Sequence, residues 1–142
     1  MTPAFRITVT RDIDTCRALR REVFIEEQGV SEADEVDGLD DTAIHLLAHA
    51  GDTPTGTARL LLKGEVGKIG RVCVLAPARG SGLGAALIRA ALDELRRQPG
   101  VTSAHLGAQS HATGFYEKLG FRVVGDEFID AGIPHREMFL DL

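Results

Sequence analysis

Hydrophobic and polar positions alternate at the start of the chain and then change to a helical spacing. FRITVT (5–10) alternates in the manner of a strand. In DIDTCRALRREVFIEEQ (12–28), Ile13, Cys16 and Leu19 recur at the spacing of one helix face. The pattern therefore predicts a strand followed by a helix.

An acidic, turn-rich stretch separates this helix from three further strands. GVSEADEVDGLDD (29–41) has no apolar periodicity, which predicts a loop that carries many carboxylates. The short breaks GDTP and KGEVG are typical of turns between antiparallel neighbours. The three predicted strands are TAIHLLAHA (42–50), TGTARLLL (55–62) and KIGRVCV (68–74).

The second half of the chain contains a glycine-rich turn and a long helix that ends near Arg97. The resulting order, β α β β β α β α β β, predicts an α/β (α+β) domain with a mixed sheet and one β–α–β crossover, formed by residues 1–142 as a single domain. The remaining elements are a strand VTSAHLGAQ (101–109), a short helix SHATGFYEKLG (110–120) and two strands, FRVVGDEFI (121–129) and REMFLDL (136–142).

Composition narrows the function. A chain of 142 residues with 44% hydrophobic residues fits one domain, and its net charge of -5 with scattered basic residues does not predict nucleic-acid binding. No leader and no membrane-length apolar run is evident, so we expect a cytoplasmic protein without membrane contact. Cys16 and Cys73 lie far apart without a C-x-x-C spacing, which predicts buried, reduced thiols and no metal site.

The turn RGSGLG (79–84) exposes several backbone N–H groups directly before a helix, an arrangement that favours anion binding. A nucleoside triphosphate site of the Walker type needs Lys and Ser or Thr after the last glycine, but Ala85 and Ala86 follow. A purely structural joint between strand and helix is the alternative that involves no ligand.

A dinucleotide site is a further alternative. Gly80, Gly82 and Ala85 satisfy G-x-G-x-x-[GA] between a strand and a helix. That site also requires an acidic residue near the end of the following strand to hold the ribose. No carboxylate occurs between Glu94 and Glu117, which argues against this alternative.

A longer comparison favours another ligand. VCVLAPARGSGLG (72–84) resembles motif A of the GNAT family of N-acetyltransferases, R/Q-x-x-G-x-G/A, and GFYEKLGF (114–121) resembles its motif B. The resemblance covers nearly the whole chain and implies the GNAT acyl-CoA N-acyltransferase fold. Further segments are similar to the ElaA-like branch, namely VFIEEQ (23–28), DGLD (37–40) and GIPH (132–135).

The resemblance implies acetyl-CoA as the cofactor. Turn amides would bind its pyrophosphate, the strand ending at Val74 would separate from VTSAHLGAQ to bind the pantetheine arm, and an N–H near Val74 would polarise the thioester. Gln109 stands where the general family has an asparagine. The implied cofactor-binding residues are Val72, Cys73, Val74, Arg79, Gly80, Ser81, Gly82, Leu83, Gly84, Gln109 and Phe115.

Two catalytic residues are expected. Tyr116, the only tyrosine, matches the motif B tyrosine, which implies a general acid for the CoA thiolate. A base must deprotonate the amine, since an alkylammonium has a pKa near 10, and Glu27 is preferred because VFIEEQ ends the helix where this family opens its acceptor cleft. The candidates are Glu27, Asp37, Asp40, His45, His111 and His135.

Each of these candidates also has a non-catalytic interpretation or an expected position in the site. Asp37 and Asp40 fit a solvated loop with Asx turns, and His45 fits a hydrogen-bonded histidine in a strand. His111 is expected to orient Gln109 or the acceptor, and His135 to lie in a loop at the rim of the substrate site. Cys73, between two valines, is expected to be a buried structural residue, so direct transfer is favoured over an acyl-cysteine.

The expected function is acetylation of a primary amine on a small molecule or peptide, in a ternary complex. An amino sugar or amino acid is the alternative acceptor, because KIGRVCV and RGSGLG are also similar to amino-sugar acetyltransferases. A CoA-binding regulator without catalysis is the alternative from another class, and Tyr116 argues against it. The resemblance also allows a homodimer.

Overall fold

One mixed sheet of seven strands organises the chain in a computed structural model that describes residues 5–142. Residues 1–4, which belong to the single domain predicted for residues 1–142, lie outside the described part. The strands are β1 (Arg6–Thr10), β2 (Ile44–Ala50), β3 (Thr53–Lys63), β4 (Val66–Val74), β5 (Ser103–Gln109), β6 (Arg122–Asp130) and β7 (Ile133–Asp141).

Four helices accompany the sheet in this part of the chain. The first begins after Asp12, whose carboxylate accepts from the Thr15 N–H as an N-cap, and it continues into a π-helical segment, Arg21–Glu27. Short 3₁₀ turns lie at Asp40–Thr42, Ala76–Ala78 and Ser110–Ala112. The helices are α1 (Ile13–Arg20), α2 (Glu32–Glu35), α3 (Leu83–Arg97) and α4 (Thr113–Glu117).

The strand order β1-β2-β3-β4-β5-β7-β6 confirms the predicted mixed sheet. Only β4 and β5 pair in parallel, and α3 connects them as the predicted crossover. Every other neighbouring pair is antiparallel. The glycine turn therefore lies at the one crossover of the described sheet, between the end of β4 and the start of α3.

Each face of the sheet carries its own apolar cluster. The face under α3 buries the apolar stripe of that helix, including Leu87 and Leu95, and a side chain at Gly67 would collide with Leu95. Fully burying a leucine stabilises a fold by about 1.5–3 kcal/mol. The opposite face, under α1, buries both cysteines with Leu19, Val23 and Leu47. Both cysteines are free, as predicted.

Two local predictions were wrong. The acidic stretch is not a purely solvated loop, because it contains the one-turn helix α2 and buries Glu35 and Asp40 to 4% and 3% exposure. Buried arginines nearby bind these carboxylates and compensate their lost hydration. His135 does not lie in a loop either, since β7 already begins at Ile133 and pairs His135 with Gln109.

Candidate active site

A cleft opens where β4 and β5 separate. Their pairing ends at Lys68 and His105, although β4 continues to Val74 and β5 to Gln109. The separation predicted for these two strands is thus confirmed. The resulting cleft has a volume of about 390 Å³ and exposes an unpaired strand edge, which is what a peptide-like arm needs for backbone hydrogen bonds.

A β-bulge bends β4 beside this cleft. Arg71 and Val72 lie opposite the single residue Ala58 of β3, and Arg71 adopts a positive φ of 50°. A non-glycine residue rarely takes this left-handed conformation, and such residues cluster at functional sites. The bulge redirects the backbone groups that follow it in the strand.

The hydrogen-bond alternation of β4 determines which amides face the opening. The Leu75 N–H donates to the Thr55 carbonyl of β3 at 2.8 Å, and in an antiparallel pair successive residues point to opposite sides. The N–H of Val74, and that of Val72 two residues earlier, therefore point toward the open edge. Val72 lines the cleft and Val74 lines the cavity at the glycine turn, and their role in binding the cofactor arm stays a prediction.

Cys73 is a correction to the predicted cofactor set. Its backbone points toward β3, opposite to that of Val74, and its side chain is 4% exposed within the α1-face cluster. Burial raises the pKa of the thiol to about 12. Cys73 therefore presents neither its N–H nor its sulfur to the cleft, and its predicted role as a buried structural cysteine is confirmed.

The glycine turn forms a second cavity, of about 320 Å³, at the start of α3. Gly80 and Gly82 adopt positive φ values of 80° and 85°, and no atom occupies the space where their Cβ atoms would stand. Within the described residues, the N–H groups of residues 80–85 have no protein acceptor, and the first bond of α3 runs from the Ala86 N–H to the Gly82 carbonyl. A row of unpaired amides at a helix start fits a pyrophosphate group.

Most of the predicted motif A residues line this cavity, but two contribute less than expected. The side chain of Leu83 is 1% exposed in the core, so only its N–H faces the turn. The Ser81 hydroxyl donates to the Ala78 carbonyl, three residues earlier in the chain. The predicted residues that line the cavity are Val74, Arg79, Gly80, Gly82, Leu83, Gly84 and Phe115.

Arg79 connects the turn to the end of the π-helical segment. Its Nε donates to the Val74 carbonyl at 3.0 Å, and its Nη2 forms an ion pair of 2.7 Å with Glu27. Glu27 is not among the residues that line the cleft. Its position outside the cleft lends no support to Glu27 as the base, and that assignment stays a prediction.

Tyr116 lies on α4 and lines the cleft between the separated strands. Its ring meets Phe115 and Phe121 edge to face, with centroid distances of 4.9 and 6.1 Å. Burial raises the pKa of the Tyr116 phenol. The hydroxyl is therefore protonated at neutral pH, as a proton donor must be, while its catalytic role stays a prediction.

Gln109 closes one end of the cleft through two side-chain contacts. His111 Nε2 donates to the Gln109 Oε1 at 2.8 Å, and the Gln109 Nε2 donates to the Gln28 Oε1 at 3.3 Å. The contact to Gln109 is one of the two that were expected of His111, and its orienting role stays a prediction. The contact between Gln109 and Gln28 connects the residue after the π-helical segment to the end of β5, on the far side of the opening.

A buried ion network that the sequence analysis missed organises the acidic stretch. Arg20 is 1% exposed; its Nε donates to Glu35 at 2.6 Å, and its Nη1 and Nη2 donate to Asp40 at 2.9 and 2.7 Å. Arg59, on β3, donates to Asp37 at 2.8 and 2.7 Å. These guanidinium groups lower the pKa of Asp37 to about 2 and hold the pKa of Asp40 far below its usual range.

Arg71 extends this network to the cleft. From the bulge of β4 its guanidinium reaches the Glu35 carbonyl at 3.1 Å and the Asp34 carbonyl at 3.2 Å, and it lies 3.3 Å from the Asp37 carboxylate. The acidic stretch is thereby fixed against the open edge. A sequence signal existed, because an arginine at 59 and another at 71 interrupt apolar strands and require buried acidic partners.

The six candidate bases differ in position. Asp37 accepts from the Leu39 N–H at 3.1 Å, as its Asx turn predicts, but Asp40 is a buried partner of arginine, which corrects its placement in solvent. His45 is 2% exposed with its Nε2 2.9 Å from the Asp40 carbonyl, so the prediction of a hydrogen-bonded strand histidine is confirmed. Of the six, only His135 lines the cleft.

The crossover sheet with its separated strands and amide-lined turn defines the chain as an acyltransferase of the CoA-dependent class. The family model of the GNAT acetyltransferase domain matches residues 13–142. The chain belongs to the GNAT family of acetyltransferases, which confirms the fold and the family expected from motifs A and B. Acetyl-CoA is the cofactor of this family, and the unpaired amides of residues 80–85 fit its pyrophosphate.

Named relatives agree with this assignment. YjcF of Bacillus subtilis, an uncharacterised N-acetyltransferase by name, is 39% identical over 124 residues, covering 87% of this chain and 88% of its own. An acyl-CoA N-acyltransferase from Pseudomonas aeruginosa superposes with a TM-score of 0.86 at 31% identity, over 96% and 99% of the two chains. Escherichia coli ElaA superposes with a TM-score of 0.83 at 27% identity, over 96% and 97%. No helix in residues 5–142 has the length and apolarity to span a membrane.

Proposed function

We propose that this acetyltransferase acetylates a primary amine of a small molecule or peptide, by direct attack in a ternary complex, and that residues 1–142 act as one domain. The observation that carries the proposal is the open edge of β4, with the Val72 and Val74 N–H groups on one side and Tyr116 at the cleft wall. A donor and an acceptor can meet there from opposite faces of the sheet.

The proposed binding role of the chain rests on the unpaired amides of the glycine turn, on the open edge of β4 and on the positive charge of Arg79. Acetyl-CoA, when bound, supplies a thioester whose carbonyl carbon accepts the amine. The amides of residues 80–85 and the guanidinium of Arg79 bind phosphate oxygens, and the Val72 and Val74 N–H groups bind the arm and polarise the carbonyl. One preorganised donor of this kind contributes about 10²- to 10³-fold in kcat. Phe115 covers the turn, since its ring lies within contact distance of a side chain placed at Gly84.

Tyr116 supplies the proton that the leaving thiolate takes up. Its buried phenol stays protonated at neutral pH, and it lines the cleft from the α4 side. Proton donation at the moment of C–S cleavage makes the leaving group neutral, which is typical of general acid catalysis. Cys73 takes no part, because a buried thiol with a raised pKa forms little thiolate.

The test is an assay of CoA thiol release with a panel of primary amines that includes alkylamines, amino sugars, amino acids and peptides. Wild-type protein should release CoA with at least one amine. Tyr116→Phe should lose about 10²- to 10⁴-fold in kcat with an unchanged acetyl-CoA Kd, since only the hydroxyl is removed. Unchanged turnover in Tyr116→Phe would refute the acid assignment. Binding of acetyl-CoA without transfer to any amine would refute the proposed acetyl transfer.

A further inference from the structure

The side chains of β5 and β7 divide between the two faces of the sheet. Leu106 and Ala108 of β5, with Met138 of β7, belong to the cluster under α3. Because strand side chains alternate, His135 and Glu137 project from the opposite face. Tyr116 packs against the α3-side cluster. His135 and Tyr116 thus reach the same cleft from opposite faces.

This division matches the two proton transfers of the reaction. The glycine turn opens α3, which packs on the same face of the sheet as Tyr116, so a thioester held from that turn would have its sulfur on this face. An amine must then approach the carbonyl from the other face. A group that removes its proton has to lie there, within reach of the cleft, and His135 is in that position.

The ring of His135 is held with one nitrogen free. Its Nδ1 lies 2.7 Å from the Ile133 carbonyl, which can only accept, so Nδ1 carries the proton. In the neutral ring Nε2 then has an unshared electron pair. Phe128 stacks on the ring at 5.8 Å with an interplanar angle of 29°, which fixes its orientation.

The other charged groups that line the cleft are less suitable. Glu35 is buried and bound by Arg20, and Glu137 lies 3.9 Å from His105. Asp34 and Asp130 are solvent-exposed. Lys68 and Arg71 are cations and cannot accept a proton while charged. Glu137 is therefore the strongest rival of His135 and the appropriate control.

We propose that His135 is the general base for the acceptor amine, an inference that rests on the proposed acetyl transfer. Its Nε2 takes a proton from the ammonium, and the freed nitrogen forms the N–C bond as the C–S bond breaks. Tyr116 gives its proton to the sulfur as the C–S bond breaks and recovers one from solvent. The attacking nitrogen loses its second proton to solvent as it becomes the amide, and the imidazolium returns the first. An ammonium and a thioester thus become an amide, a thiol and one proton released to solvent, without a further reactant.

A matched pair of acceptors tests this role. The first is the best primary alkylamine from the panel, and the second is its β,β-difluoro analogue, whose fluorines make the ammonium much more acidic and leave a larger neutral fraction at neutral pH. A base is essential only for the first. His135→Asn keeps a donor for the Ile133 carbonyl and removes the basic nitrogen.

His135→Asn should lose about 10²- to 10⁴-fold in kcat with the alkylamine and less than about 10-fold with the difluoro analogue. Tyr116→Phe should lose activity equally with both, because leaving-group protonation does not depend on the amine. Equal losses of His135→Asn with both amines would overturn the proposal, as would an amine-dependent loss in Glu137→Gln instead. The melting temperature and the acetyl-CoA Kd of each variant verify that it is folded. His135→Gln is the second variant if His135→Asn is not.

The controls separate this inference from the function on which it rests. Wild-type turnover with the alkylamine reports on acetyl transfer itself. The ratio of variant to wild-type rates on the two amines reports on His135. A wild-type enzyme that transfers acetyl groups while His135→Asn keeps full activity with the alkylamine refutes the base and leaves the transferase intact.

Discussion

Replacing Asp40 with asparagine removes the central carboxylate of the buried ion network. Asp40 is 3% exposed and accepts from Arg20 at 2.9 and 2.7 Å, from Arg17 at 2.8 Å and from Arg59 at 3.2 Å. Asparagine keeps one acceptor oxygen but presents an NH₂ group to donors. It also leaves the guanidinium of Arg20 buried with one carboxylate partner, Glu35, instead of two.

The expected cost follows from that uncompensated charge. Removing one partner of a buried ion pair destabilises a protein by about 3–5 kcal/mol. At about 2–4 °C per kcal/mol for a chain of this size, Asp40→Asn should lower the Tm by roughly 6–20 °C. The acidic stretch also lines the cleft at Asp34 and Glu35, so KM for the amine should rise while the acetyl-CoA Kd stays constant.

Urea and thermal unfolding measure the loss, with Arg17→Ala as the control. The Arg17 side chain is 46% exposed, so its ion pair contributes about 0–1 kcal/mol. The folded pKa values of Asp37 and Asp40 are lowered, so their stabilisation is complete above about pH 4 and disappears as the pH falls toward those values. Asp40→Asn should therefore show a weaker acid dependence than wild type. A loss below about 1 kcal/mol at pH 7 would refute the argument.

Three further substitutions test the site. Gly82→Ala strains a backbone with φ of 85°, at a cost of about 1–2 kcal/mol, and covers the turn amides, so the acetyl-CoA Kd should rise about 10-fold or more. Gly64→Ala is the control: at φ 60° in a distant turn it should cost similar stability without changing that Kd. Cys73→Ala should keep kcat within about 3-fold of wild type; a loss of transfer with intact acetyl-CoA binding would instead indicate an acyl-cysteine. Glu27→Gln should change kcat less than about 5-fold, because it breaks an exposed ion pair, and a loss above about 100-fold would restore Glu27 as the base.

Local chemistry explains which parts of the site were predictable. The glycine turn requires positive φ values and free amides, and both requirements are visible in RGSGLG as spacing. Tyr116 could likewise be identified from the sequence, since it is the only tyrosine and follows a strand within a short helical segment. Periodicity also predicted the seven strands and the helices α1, α3 and α4 in the right order, but it missed the one-turn helix α2.

The errors concern residues whose partners are distant in the chain. Arg20 meets Asp40 across 20 positions, and Arg79 meets Glu27 across 52 positions, so no local pattern reports either contact. Glu27 was chosen as the base from its place at the end of the helix, and its ion pair with Arg79 was not visible in that local pattern. His135 was assigned to a loop because Gly132 and Pro134 precede it, yet pairing with β5 and β6 forms a strand there.

The sequence by itself determined the mixed sheet, the position of the crossover and the glycine-rich turn before α3, because these depend on periodicity and on the conformational freedom of glycine. Only the tertiary structure decided which polar side chains reach the cleft and from which face. That outcome depends on where β4 and β5 stop pairing and on how buried arginines hold the acidic stretch, and both are properties of contacts between residues far apart in the chain.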